Sequence, residues 1–224
     1  MCSRRPGDNV ATKLIIVRHG EAVCNVSGLA HGLETCAGLT ERGHAQVARL
    51  AQRLRQDELK ADVLYASPIA RARQTAEPIA EALGLPIQWD DELHEKRPGA
   101  EAEGFSWREL EARYGSFQHD QPYTERIPSM ESWAAFVVRA STALDRIVRE
   151  HPNQTVIVAA HGGIVEASFY LFLDLGPRTS TGFWTHNTSL TEWRKSDRFN
   201  VNRWFLLRYN DIAHLADMPP VEQP

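Results

Sequence analysis

Two stretches of this chain share one pattern. Residues 14–20 read Leu-Ile-Ile-Val-Arg-His-Gly, and residues 156–163 read Val-Ile-Val-Ala-Ala-His-Gly-Gly. Each is a short apolar run broken by histidine and glycine, the pattern of a buried strand that ends on its histidine. Open α/β sheets place their ligand sites at the carboxyl ends of strands, so His19 and His161 fall where a site is expected. Arg18 beside His19 makes that site suited to an anion.

Between and after these runs the period changes to that of helices. Thr40 is placed to cap a helix whose apolar face is Val47, Leu50, Ala51 and Leu54. A short strand is expected over 62–66. Ser67-Pro68 then reads as a cap and first helical residue for a helix reaching Leu83 before Gly84, with Pro78 expected to kink or break it. Another strand is expected over 87–89. Ser106 with Glu109 fits a capping box for a short helix ending near Gly115, on which Trp107 and Tyr114 are amphipathic packing positions. Ser129 opens a longer helix bearing Trp133, Phe136, Val137, Ala140, Leu144, Ile147 and Val148. After the second histidine strand come an apolar helix from about Ile164 and two further strands over 189–193 and 203–209.

This βαβα alternation predicts an α/β fold of three layers, α/β/α, with a largely parallel central sheet. One domain is expected over 12–216, with a short lid-like insertion at about 96–130 and loose ends over 1–11 and 217–224.

Composition narrows what the pocket meets. The 224 residues carry a net charge of -4 with a pI near 6.1, so no basic field exists to draw nucleic acid or acidic membrane. The apolar runs are strand-length, and no signal-peptide pattern follows the basic start, which makes the cytosol the default compartment. Cys2, Cys24 and Cys36 are too few for a disulfide framework and read as reduced thiols. None of the nine histidines lies four residues from another on a helix, no cysteine cluster accompanies them, and Arg18 would repel a cation. A metal or other cofactor is therefore not expected. A homo-oligomer is left open.

The motifs resemble those of the histidine phosphatase superfamily, which includes the phosphoglycerate mutases and many small-molecule phosphatases. Arg18-His19-Gly20-Glu21 with Asn25 resembles the family signature, and Leu39-Thr40 with Gly43 and Gln46 its next segment. Ser67-Pro68, Arg71-Ala72 and Gln74-Thr75-Ala76 resemble the second arginine motif. Leu93-His94-Glu95, followed by Gly99 and Glu103-Gly104, is similar to the segment that carries the acid, and His161-Gly162-Gly163 to the second histidine motif. They occur in the family's order from Leu14 to about Gly163.

The resemblance implies a phosphatase acting on a small phosphorylated metabolite. Phosphoryl transfer needs a nucleophile, charge on the equatorial oxygens and a proton for the leaving oxygen. By resemblance His19 is the nucleophile and becomes phosphorylated, Arg18 and Arg71 grip phosphate, and His161 donates a further hydrogen bond. Glu95 protonates the leaving alkoxide and later assists water. Asn25 and the amides of Gly162 and Gly163 are added phosphate contacts. Two other readings stand beside this one: a phosphoglycerate-type mutase, and a non-catalytic phosphate-binding or interaction domain. The mutases carry an adjacent arginine pair in a longer insertion; no such pair occurs between Phe105 and Met130, although Lys96-Arg97 could meet a second anion. The catalytic groups are all present, which disfavours the non-catalytic reading.

Overall fold

A computed structural model describes residues 11–57, 59–116, 121–179, 181–196 and 203–219. The elements run β1 (Lys13–Arg18), α1 (Val23–Ser27), α2 (Glu41–Gln56), β2 (Val63–Ala66), α3 (Ala70–Leu83), β3 (Ile87–Trp89), α4 (Trp107–Tyr114), α5 (Trp133–Glu150), β4 (Thr155–Ala160), α6 (Gly162–Phe172), β5 (Leu190–Ser196) and β6 (Arg203–Asp211). Of the loose ends expected at 1–11 and 217–224, residues 1–10 and 220–224 lie outside the described residues.

The six strands form one sheet in the order β3-β2-β4-β1-β5-β6. The first four are parallel, whereas β5 runs antiparallel to β1 and β6 antiparallel to β5. Side-chain alternation along β1 sends Leu14 and Ile16 to one face with α5 and α6, and Ile15 and Val17 to the other with α2 and α3. The three layers follow from this two-sided burial. Each buried Leu or Ile contributes about 1.5–3 kcal/mol relative to exposure.

Local chemistry sets the helix ends. Thr40 caps α2 by accepting from the Gly43 amide at 3.0 Å. Ser106 and Glu109 form the expected capping box on α4. Three starts differ from the sequence reading. The helix α3 begins at Ala70 with Ile69 as its cap, and the Ser67 side chain meets the Ile69 amide at 3.4 Å and His161 Nε2 at 2.9 Å. Ser132 caps α5, while Ser129, at φ 60°, lies in a turn before it. The helix α6 begins at Gly162, directly after His161. Pro78 does not break α3, which continues to Leu83.

The insertion has its own small core of Ala30, Ala102, Leu110, Ile127 and Met130, with Tyr114 packed against it. Trp107, expected to pack likewise, is instead 42% exposed. Backbone bonds from Ala30 to Phe105 and from Gly104 to Ala30, both 2.9 Å, stitch the loop after α1 to this insertion.

Candidate active site

The register of three neighbouring parallel strands brings the site together. Arg18 pairs with Ala160, and the His19 amide donates to the Ala160 carbonyl at 2.9 Å, so His19 and His161 leave the sheet side by side. Their ring centroids are 5.3 Å apart. On the other flank Ala66 pairs with Ala159, and the Ser67 amide donates to Ala159 at 3.1 Å. Ser67, His161 and His19 thus emerge in sheet order from β2, β4 and β1.

His19 is held by both ring nitrogens. Its Nδ1 lies 2.7 Å from the Gly20 carbonyl, which can only accept, so Nδ1 carries the proton. Nε2 accepts from Nε of Arg71 at 3.2 Å. Burial, with the charges of Arg71 and Arg18 adding to it, holds His19 well below the ordinary histidine range. The ring is a neutral base with its Nε2 lone pair turned to Arg71.

The surrounding segment is fixed by the residues of the second motif. The Gly20 amide donates to Thr75 Oγ1 at 3.0 Å, and Thr75 in turn donates to the Arg71 carbonyl at 2.8 Å. The Glu21 amide donates to Gln46 Oε1 at 2.8 Å, and Thr40 Oγ1 donates to Glu21 Oε1 at 2.7 Å. A Cβ on Gly43 would stand 2.0 Å from the Glu21 carbonyl oxygen, so only glycine permits this approach of α2 to the loop.

The two arginines are held by different means. Arg71, second residue of α3, is 4% exposed and also donates from Nη1 to Cys36 Sγ at 3.3 Å. Arg18 is anchored through Nη1 to the Thr185 carbonyl, and burial lowers its pKa. Its Nε, the Nδ1 of His161 and the Oγ1 of Thr185 are buried with no hydrogen-bond partner among the described residues. Leaving such groups unsatisfied costs about 1–3 kcal/mol each, and an anion's oxygens are suited to the two nitrogens. His161 Nε2 lies 2.9 Å from Ser67 Oγ. Burial, then Arg71, also lowers His161 well below the usual range.

Glu95 accepts from the Lys96 amide at 2.9 Å and from the Gly163 amide at 3.2 Å, which seats it at the α6 N-terminus. The Gly163 amide therefore serves Glu95 first, while Gly162 lies against Arg18, 3.6 Å from its Nε to the position of a Cβ. Arg139 fixes the segment bearing Glu95: it donates to the carbonyls of Glu92 at 2.6 Å, His94 at 3.2 Å and Glu95 at 3.4 Å, and pairs with Glu131 at 2.7 Å. Asn25 Oδ1 accepts from the Ala22 amide at 2.9 Å and from Asn187 at 3.3 Å, and the same Asn187 amide group donates to the His19 carbonyl at 3.0 Å. The Asn25 amide nitrogen is thereby oriented by a neighbour of the nucleophile candidate.

All eight sequence-predicted residues converge on this one region. Sequence reasoning missed Ser67, Thr185, Asn187 and Arg139, which hold the predicted groups in place. Only Ser67 carried a local signal: it reads as a helix cap and belongs to the segment that resembles the second arginine motif, with no role of its own assigned to it. Beside Glu95 opens a cavity of about 560 Å³ lined by His31, Ile69, His94, Lys96, Arg97 and Glu103, among others. Among the described residues, no three His, Cys, Asp or Glu side chains are grouped to hold a metal ion, and no helix is long and apolar enough to cross a membrane.

A strand-end histidine pair, a buried Arg71, a half-buried Arg18 and a carboxylate are gathered at the carboxyl ends of the parallel strands of an α/β sheet. The chain belongs to the histidine phosphatase superfamily, whose branch 1 model matches residues 14–212. It is 32% identical over 208 residues to phosphoserine phosphatase 1 of Hydrogenobacter thermophilus, covering 92% of this chain and 95% of that one. It is 29% identical over 217 residues to a metal-independent phosphoserine phosphatase of Arabidopsis thaliana, covering 94% and 86%. Among solved structures it is similar to a phosphoserine phosphatase variant from Entamoeba histolytica in complex with phosphoserine. That match has a TM-score of 0.75 and 26% identity, over 91% of this chain and 99% of that one.

Proposed function

We propose that this protein hydrolyses a small phosphomonoester through a covalent phosphohistidine on His19, without a metal. The observation that carries the reading is the hydrogen bonding of His19: Nδ1 meets the Gly20 carbonyl and Nε2 meets the Nε of Arg71, an arrangement that leaves the lone pair on Nε2.

The substrate phosphate enters between Arg18 and Arg71, whose planar forks match its oxygens. Arg71 then exchanges His19 Nε2 for a phosphate oxygen, which frees the lone pair for in-line attack. The Ser67 hydroxyl donates to His161 Nε2, so that His161 Nδ1–H donates to the transferring group; Asn25 Nδ2 and the Gly162 amide add to this cradle. As the Nε2–P bond forms and the ester P–O bond breaks, Glu95 in its acid form gives its proton to the leaving alkoxide. The resulting carboxylate takes a proton from water, whose oxygen attacks phosphorus, and the P–N bond breaks to release inorganic phosphate. Catalysis rests on position and charge.

The cavity beside Glu95 is where the alcohol half of the ester is held. A release assay for inorganic phosphate over a broad phosphomonoester panel, run with and without a bisphosphoglycerate primer and with a chelator, tests the reading. Primer-independent, chelator-resistant phosphate release is expected. Primer-dependent isomerisation without release would instead assign a mutase, and release abolished by chelator and restored by metal would overturn the metal-free route.

A further inference from the structure

Two thiols stand beside the guanidinium that bonds His19. Cys36 Sγ accepts from Nη1 of Arg71 at 3.3 Å, while Nε of the same side chain donates to His19 Nε2 at 3.2 Å. Cys24 lies one residue before Asn25 on α1 and packs against Ala22, Leu39 and Val47. Both cysteines are free and half-buried, open to a small solute. The steps proposed above use neither.

The backbone brings the two together. Ala22 bridges Leu39 in the antiparallel sense, and the Val23 amide donates to the Gly38 carbonyl at 3.0 Å. Cys24 follows Val23, and Cys36 stands two residues before Gly38, so both leave the same end of this short ladder, one position from direct opposition. Opposed residues of such a pair have Cα atoms about 4.5–5.5 Å apart, and a disulfide spans about 4.4–6.8 Å. The Cys24 thiol feels the charge of Cys36 and of both site arginines. The 36–39 segment is in turn tied to α3, where Gln74 Oε1 accepts from the Leu39 amide at 2.7 Å and Arg71 holds Cys36. A shift of Cys36 is therefore passed to Arg71.

We propose that Cys24 and Cys36 form a reversible disulfide under a hydroperoxide, and that this link switches the phosphate site off by drawing Cys36 away from Arg71. The Cys36 sulfur attacks a peroxide oxygen, the O–O bond breaks, and Cys36 becomes a sulfenic acid as water or an alcohol leaves. The Arg71 N–H steadies the negative charge on the attacking sulfur. The Cys24 sulfur then displaces the hydroxyl, which leaves as water with the Cys24 proton. Two electrons pass from the thiols to the peroxide, and a small dithiol returns them. Burial pushes the Cys24 thiol up, which leaves the first attack to Cys36.

The inference concerns regulation of the proposed phosphatase centre and rests on that reading. The Cys2→Ser protein, which keeps only these two thiols, is treated with hydrogen peroxide and its unreduced peptides are mapped by mass. A Cys24–Cys36 link is expected, with kcat/KM for phosphate release lowered about tenfold or more, the worth of one charged hydrogen bond. Binding of inorganic phosphate, read by calorimetry, should weaken alongside, and dithiothreitol should restore both. In Cys24→Ser no link forms, and dimedone should label Cys36 as its sulfenic acid; thermal melts report folding. Absence of the link, a link that leaves activity and phosphate binding unchanged, or an equal peroxide loss in the Cys24→Ser, Cys36→Ser double variant would overturn the switch. A reduced protein that binds phosphate but is inactive on the whole phosphomonoester panel would overturn the phosphatase reading alone, the switch then being read from the link and from phosphate binding. A reduced protein that neither binds nor releases phosphate would overturn both.

Discussion

Arg71 donates from Nε to the unprotonated Nε2 of His19 at 3.2 Å, so the group proposed to grip phosphate also keeps a proton off the atom proposed to attack it. A guanidinium is permanently charged and cannot accept a proton, and its positive field opposes one arriving on the ring. Replacing Arg71 removes both functions. Arg71→Ala should lower kcat/KM by about 10²–10³-fold, and Arg71→Lys should recover little of it, because a point charge lacks the planar fork. Kinetics on both variants check this; full recovery with lysine would show that charge alone suffices.

Glu95 and Gly163 form one unit, joined at 3.2 Å. Glu95→Gln should slow alkyl phosphates far more than activated aryl phosphates, whose leaving groups need less protonation. Gly163→Ala should mimic it in weaker form, since a Cβ there would stand 2.2 Å from Glu95 Oε1 and 2.8 Å from Phe136 Cζ. Parallel kinetics on the two ester types decide the matter, and equal losses on both would contradict the acid role.

Ser67 is expected to act through His161, 2.9 Å away. Ser67→Ala should reduce kcat by about tenfold while stability falls by only about 0.5–1.5 kcal/mol, the worth of one hydrogen bond. A variant with unchanged kcat would separate Ser67 from the reaction.

How these residues were and were not legible follows from what positions them. His19, Arg18 and His161 were readable because a buried strand ending in histidine leaves a local pattern in sequence, and the same apolar runs fixed the three layers. Ser67 was misread as a cap because Ser-Pro carries that signal locally, while its partner His161 is 94 residues away. Arg139 reads as the polar face of an amphipathic helix, and only the return of the 92–95 carbonyls onto α5 shows its use. The reversal at β5 and β6 was equally hidden, since apolar alternation is the same in either strand direction.

The buried histidines predict the direction of acid sensitivity. His19 and His161 are held well below the ordinary histidine range by burial first, and His94 and His214 are lowered for the same leading reason. Below about pH 6.5 the unfolded chain takes up protons that the folded chain refuses, so the stability these groups contribute is present above that pH and lost as pH falls. Glu166, raised to about 7, binds a proton in the folded chain and opposes the trend by one group. The net is a decline of about 1.4 kcal/mol per pH unit for each surplus proton, smaller for the partly exposed groups. Thermal melts between about pH 7.5 and 5.5 should show Tm falling with acidification, and His19→Asn should flatten the slope. A Tm that rises toward acid would contradict the buried neutral histidines.

The covalent intermediate is the centre of the account, and it can be trapped. Phosphohistidine is labile in acid, so the enzyme turning over a radiolabelled phosphomonoester should be quenched under alkaline, denaturing conditions and its peptides mapped. The account predicts label on His19 at Nε2, formed within the time of one turnover and absent from His19→Ala. Phosphate release by the wild type with no label on His19 at any time point, or label that persists in His19→Ala, would contradict it.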